Sequence, residues 1–213
     1  MLLTPCKLER QAILISAKRQ MEGCSVFGFF RKNREEKRIA RLYARIVKRA
    51  RHPDFYQRLG VPDTLDGRFD VLALHVHLYL RALRRHDLGR EALGQGLFDA
   101  FFADLDQGLR EGGVGDLSVS KKIKRMAEAF YGRAAAYDAA FNAAQPDQAL
   151  ADVIDRNIMS EEKLTSSLQL AQYVVAFDQA LALYSVDDIM AGAYLEEPLS
   201  HQLVQNEPSA RIK

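Results

Sequence analysis

One stretch limits what this chain can become more than any other. Between 68 and 86 the apolar residues fall on two helical stripes at once. Phe69, Leu72, Val76, Tyr79, Leu80 and Leu83 form one, and Val71, Leu74, Leu78 and Ala82 form the other. A helix with a single apolar stripe lies on a surface, whereas one apolar round most of its circumference belongs inside a bundle. Two stripes on one helix therefore predict an all-α, single-domain bundle of about seven helices built round a buried central helix. Such a helix needs neighbours on every side, and the rest of the chain offers them.

From Asn33 onward, Ile39, Leu42, Tyr43, Ile46, Val47 and Ala50 repeat at helical spacing, with Arg34, Arg38, Arg41, Arg45 and Lys48 on the opposite side. This helix ends at His52-Pro53, because a residue before proline avoids helical dihedrals. Pro53 then opens a short helix through Arg58, closed by Gly60. Asp66 is the expected N-cap of the central helix. A helix over 90–109 turns Leu93, Leu97, Phe98, Phe101, Phe102 and Leu105 inward. Another over 118–141 follows, with Ser118 or Ser120 as its cap and Ile123, Met126, Phe130, Ala134, Tyr137 and Phe141 on one side. Asp147 is expected to cap a helix to Ile158, and Ser160 one that runs to Tyr184. Ser185 with Asp188 three residues on makes a capping box for a last short helix. No alternating strand pattern occurs. Residues 1–30 and 196–213 lack periodicity and are expected to be a flexible extension and a flexible tail on a 31–195 domain.

With 213 residues, 48% of them hydrophobic, the chain can bury its own core without disulfides or metals. Its two cysteines, Cys6 and Cys24, have no metal-ligand spacing. The net charge of +2 hides a segregation. Residues 1–51 carry 14 Lys and Arg against 4 Asp and Glu, and the remainder carries 16 against 24. A basic arm on an acidic body suits an anionic partner, RNA or a lipid surface, or is simply a solvated basic face. No run reaches the roughly 18–20 apolar residues that span a bilayer. Neither a signal-peptide core nor a presequence stands out at the N-terminus. These features point to a cytoplasmic protein, with a peripheral position on a lipid surface left open.

Catalytic signatures are thin. His75 and His77 stand two apart on a helix and face different ways, so no metal is expected. Ser118-Val-Ser-Lys121 has the Ser-x-x-Lys spacing but none of its companion motifs. Gly112-Gly-Val-Gly115 lacks the Gly-Lys-Ser/Thr of a phosphate loop, and Asp116 puts negative charge in the way. Asp99, Asp104, Asp106, Glu111 and Asp116 read better as partner contacts or ion pairs with Arg110, Arg133 or Lys124 than as catalytic carboxylates. The residues thus expect no catalytic group, no cofactor and a role in binding. The charges of 104–126 are placed against the helix dipole. Asp106 and Glu111 lie near one helix's C-terminus, and Lys121, Lys122 and Lys124 lie early in the next.

Three stretches in order resemble the ubiquinol–cytochrome c chaperone family. The first is 50–70, with Gly60-Val-Pro-Asp63 and Leu65-Asp-Gly-Arg-Phe-Asp70. The second is 97–106, with Leu97-Phe-Asp-Ala-Phe-Phe102. The third is 109–126, with Glu111-Gly-Gly-Val-Gly-Asp116, running on to Arg133. The resemblance covers about 40–180 and implies a non-enzymatic, all-helical assembly factor. Its client would be newly made cytochrome b of respiratory complex III, and the compact length is similar to a bacterial member. It also implies a small helical partner protein and the ribosome as candidate partners; DNA is not implied. The residues carried over as a client or partner surface are Asp63, Asp66, Arg68 and Phe69, then Asp104, Asp106, Arg110, Glu111, Gly113, Gly115, Asp116, Lys121, Lys122 and Lys124. Arg34, Arg38, Arg41, Arg45 and Lys48 are the candidates for an anionic surface. Phe98, Phe101, Phe102, Phe130 and Tyr131 are core, or in part a groove for a client helix. The alternative is a helical carrier of lipid or haem, or an enzyme, with a pocket between helices near His75.

Overall fold

A computed structural model describes residues 26–86, 91–159 and 164–195. The expected extension and tail lie almost wholly outside these, as does the Ser160 cap. All regular structure among the described residues is helical. The helices are α1 (Val26–Ala50), α2 (Asp54–Gln57), α3 (Leu65–Arg84), α4 (Glu91–Glu111), α5 (Asp116–Phe141), α6 (Pro146–Asn157), α7 (Leu164–Leu183) and α8 (Val186–Ala191). Among the described residues, those from Lys37 onward form one compact unit, and the start of α1 up to Glu36 falls in a separate one. Helix α1 starts at Val26, well before the Asn33 that the periodicity indicates.

Helix α3 is the buried centre. Twelve of its twenty residues are buried, and it packs against α4, α5, α7 and α8. Its two apolar stripes account for this: Val71, Leu74, Val76, Leu78, Tyr79 and Ala82 are wholly excluded from solvent. Burying each of the Val and Leu side chains among them contributes about 1.5–3 kcal/mol. The apolar side of α1 joins the same core through Ile39, Leu42, Ile46 and Ala50. Beside α3 the chain runs as successive neighbours, α4 against α5, α5 against α6 and α6 against α7.

Several caps differ from expectation. Thr64, not Asp66, caps α3, its hydroxyl accepting from the Gly67 amide at 3.1 Å. The connector decides this. An added Cβ on Gly67 would lie 2.1 Å from the carbonyl oxygen of Pro62, so the chain folds back on the first turn and fixes Thr64 ahead of it. Gly115 stands at the N-cap of α5 without a side-chain bond, which places Ser118 and Ser120 inside the helix. Helix α6 opens on Pro146 after Gln145, so Asp147 lies in its first turn instead of capping it. At α8 the Ser185 hydroxyl accepts from the Asp188 amide, as the capping box requires.

Candidate functional site

The α4–α5 joint closes as a Schellman turn. The Gly113 amide donates to the Arg110 carbonyl at 3.0 Å and the Val114 amide to that of Leu109 at 3.1 Å. Gly113 has φ of +79°, a left-handed conformation that a side chain resists. Gly115 is extended and has open space round it. Only Gly113 is therefore demanded by the turn. Arg110 straddles the joint, donating to Asp106 within α4 at 2.5 Å and across it to Asp116. This answers the adverse position of Asp106, and Gln107 donates to Glu111 at 2.7 Å. The hydrogen bond and charge of Asp106, with Asp116 behind them, hold the Arg110 guanidinium pKa above its ordinary value.

Beyond the turn, Lys121, Lys122 and Lys124 are exposed and pair with no carboxylate among the described residues. They stand beside Leu117, which is 86% exposed. The corner thus presents an anchored acidic side, an apolar side chain and three free cations. Asp104 is spent differently: it accepts from the Tyr43 hydroxyl at 2.7 Å and ties α4 to α1. Burial, followed by that bond, pushes the Tyr43 phenol pKa up.

Further along the α4–α5 hairpin the aromatic residues form one cluster. Phe98, Phe102 and Tyr131 surround Phe130, and Phe101 stacks on Phe69 of α3 at 6.0 Å. Phe101 and Phe130 are core, Phe98 and Phe102 are half-buried, and Tyr131 is 43% exposed. The cluster opens at the surface, since one helix face cannot hide five rings. Asp63 and Arg68 pair with each other at 2.7 Å, and Arg68 lies over the ring of Tyr56. That pairing lowers the Asp63 pKa and raises that of Arg68. Asp66 is exposed. Phe69 alone of this group reaches the aromatic cluster. Among the described residues no hydrogen bond or ion pair joins 63–69 to the 104–124 corner, so the carried-over surface divides in two.

Sequence reasoning missed a polar seam. Asp70, His77, Arg81 and Arg84 lie at steps of seven, four and three along one side of α3. Asp70 is held 2.9 Å from Arg133 of α5 and is 5% exposed. Burial pushes its carboxyl pKa up to about 7, with Arg133 pulling the other way. His77 stands 3.3 Å from Asp138, close enough for a charge contact but too poorly aligned for a hydrogen bond. Arg81 reaches both Asp138 at 2.9 Å and Asp178 at 3.2 Å. Arg84 joins Asp138, Arg85 joins Asp178, and the group frames a surface hollow of about 360 Å³ with Asn142. Burial opposes the charge on Asp138, but His77 and the arginines outweigh it and bring its pKa to about 2. The signal was legible in the seven-residue step between two polar groups on an apolar helix.

The surroundings of His75 are filled. Its Nδ1 lies 2.7 Å from the Val71 carbonyl, which can only accept, so Nδ1 carries the proton and Nε2 accepts from the Tyr173 hydroxyl at 2.8 Å. Arg49 donates to that hydroxyl at 3.3 Å, and Phe55 and Phe177 meet the imidazole edge-on. This is a satisfied core histidine. On α1, Arg38 pairs with Asp187 at 2.7 Å and Arg45 donates to the Ala191 carbonyl, while Arg34, Arg41 and Lys48 are exposed. Among the described residues no helix is long and apolar enough to cross a membrane, and no cluster of ligands could hold a metal.

The chain belongs to the family described as Ubiquinol-cytochrome C chaperone, whose model matches residues 57–195. It is 24% identical over 122 residues to ubiquinol-cytochrome-c reductase complex assembly factor 1 of Xenopus laevis, covering 57% of this chain and 60% of that one. It thus spans less than two thirds of that relative's length. The crystal structure of the Cbp3 homolog from Brucella abortus is similar at a TM-score of 0.68 and 39% identity, over 78% of this chain and 92% of that one.

Proposed function

We propose that this protein is a non-enzymatic chaperone for the assembly of ubiquinol–cytochrome c reductase, and that it binds newly made cytochrome b. The observation that carries the reading is the aromatic cluster of the α4–α5 hairpin, which opens at Phe98, Phe102 and Tyr131 within the family-matched region. A membrane subunit awaiting assembly exposes apolar helices, and an uncovered aromatic strip framed by charge is the surface that receives one. The α4–α5 corner, with Leu117, Lys121 and Lys122, extends that strip toward a partner.

The test replaces the gene with a Lys121→Glu/Lys122→Glu/Tyr131→Glu variant in its own host. All three positions are exposed. The purified variant is expected to stay folded, melting somewhat lower because Tyr131 packs on Phe98 and Phe130, yet to lose co-purification of cytochrome b and to lower assembled complex III. Unchanged cytochrome b spectra, in this variant and in a strain lacking the gene, would refute the reading.

A further inference from the structure

We propose that α1 docks the protein on the surface of an anionic lipid bilayer through Lys37, Arg41, Lys48 and Arg51. This site stands apart from the chaperone surface and uses none of its residues; the family match begins only at residue 57. The four cations follow one another at steps of four, seven and three, so they share one side of the helix and the residue that follows it. At a rise of about 1.5 Å per residue the row extends about 21 Å. All four are exposed, and none pairs with a carboxylate among the described residues. The sequence from Lys37 to Arg51 contains no Asp or Glu.

Two further cations on this helix are committed. Arg38 pairs with Asp187 and Arg45 donates to the Ala191 carbonyl, which braces α1 against α8 and holds the free row in a fixed orientation. The opposite side, Ile39, Leu42, Ile46 and Ala50, is buried in the core. Between Ile39 and Ala50 the helix therefore has no free apolar face to roll into a membrane, and attachment through the cation row is electrostatic. A straight row of cations meets a plane of anionic headgroups all at once. RNA fits less well, because the aromatic residue of this stretch, Tyr43, is turned away to Asp104 and leaves no ring on the basic side for a base to stack on.

The experiment sediments the full chain with phosphatidylcholine vesicles, with and without phosphatidylglycerol, at low and high salt, and compares Lys37→Glu/Arg41→Glu/Lys48→Glu/Arg51→Glu. Each cation near an anionic surface contributes about a fivefold gain in partitioning. The wild type is expected to sediment with phosphatidylglycerol vesicles only, and less so at high salt. The variant should lose about a hundredfold or more in affinity. A melting curve checks its fold, and the four-glutamine variant replaces it if the charge reversal unfolds the chain. Sedimentation that is equal in wild type and variant, or equal without phosphatidylglycerol, would overturn the proposal. So would a ribosomal RNA fragment whose binding the variant abolishes while vesicle binding is untouched. Retained cytochrome b co-purification by the vesicle-defective variant is the expected result, and its loss would overturn the separation of the two surfaces.

Discussion

The buried imidazole of His75 makes an acid-sensitive core, and the size of the effect follows from its surroundings. It is fully excluded from solvent, and its pKa is lowered to about 4 from 6.5, by burial first and by the Arg49 charge, with the Val71 hydrogen bond opposing. A group depressed on folding contributes stability that is present above its unfolded pKa and lost as the pH falls toward its folded one. The window is therefore 6.5 down to about 4. At about 1.4 kcal/mol for each pH unit, the full loss is about 3 kcal/mol. The geometry explains the resistance to protonation. Arg49 donates to the Tyr173 hydroxyl, which donates to Nε2, so a proton on Nε2 would confront a donor that already faces a guanidinium. The perturbation is His75→Gln, which keeps a polar side chain but does not titrate. Urea unfolding of both proteins at pH 7 and pH 4 gives four free energies. At pH 7 the variant is expected to be weaker by about 1–2 kcal/mol for its poorer hydrogen bonds. At pH 4 it should equal or exceed the wild type. All other titrating groups are common to both proteins, so the difference isolates His75. A wild-type advantage that is the same at both pH values would refute the reasoning.

Asp70 predicts the opposite trend. Its pKa is raised from 3.8 to about 7, so its contribution is full below 3.8 and is lost as the pH rises through 7. Asp70→Asn should therefore gain on the wild type between pH 4 and pH 7.5 in the same urea assay; a constant offset would count against a raised carboxyl. Gly67→Ala must displace the Pro62 carbonyl and is expected to cost about 1–3 kcal/mol. Gly108→Ala, on α4 with open space round it, should instead add about 0.5–1 kcal/mol, with chemical denaturation midpoints as the check. A Gly67→Ala variant as stable as the wild type would mean the connector gives way.

What the sequence made legible was whatever period alone determines. The double stripe from Phe69 to Leu83 placed α3 at the centre, and each flanking helix carried its own apolar face. Caps were harder, because they depend on where the preceding chain runs. Thr64 and Asp66 are equally able acceptors, and the choice falls to Thr64 because Pro62 returns onto Gly67. Glycine content marked the α4–α5 corner, but which glycine is indispensable depends on a single φ, that of Gly113. The charges of the corner were visible, whereas the role of Arg110 as a tie across it was one of several pairings open to the sequence. Likewise Arg38 and Arg45 look like Arg41 in sequence, and only contact with α8 separates tied cations from free ones.

The seam between α3 and α5 joins these observations. Asp70 Oδ1, both ring nitrogens of His77, Arg133 Nε and the Tyr137 hydroxyl are buried there without an aligned hydrogen-bond partner among the described residues. An unmet buried polar group costs about 1–3 kcal/mol. Apolar residues of the same volume would therefore hold α5 to α3 more firmly than these do. The tight apolar packing of α3 lies on its other sides, against α4, where Phe101 stacks on Phe69, and against α7, where Tyr173 and Phe177 enclose His75. The α4–α5 hairpin carries the aromatic strip and the charged corner, and its second helix rests on the costlier side of the central helix. The proposed client surface thus has one helix packed firmly on α3 and the other resting on the seam, where displacement costs least. Asp70→Asn tests that link as well, because it alters the charge of the seam without touching a residue of the strip or the corner.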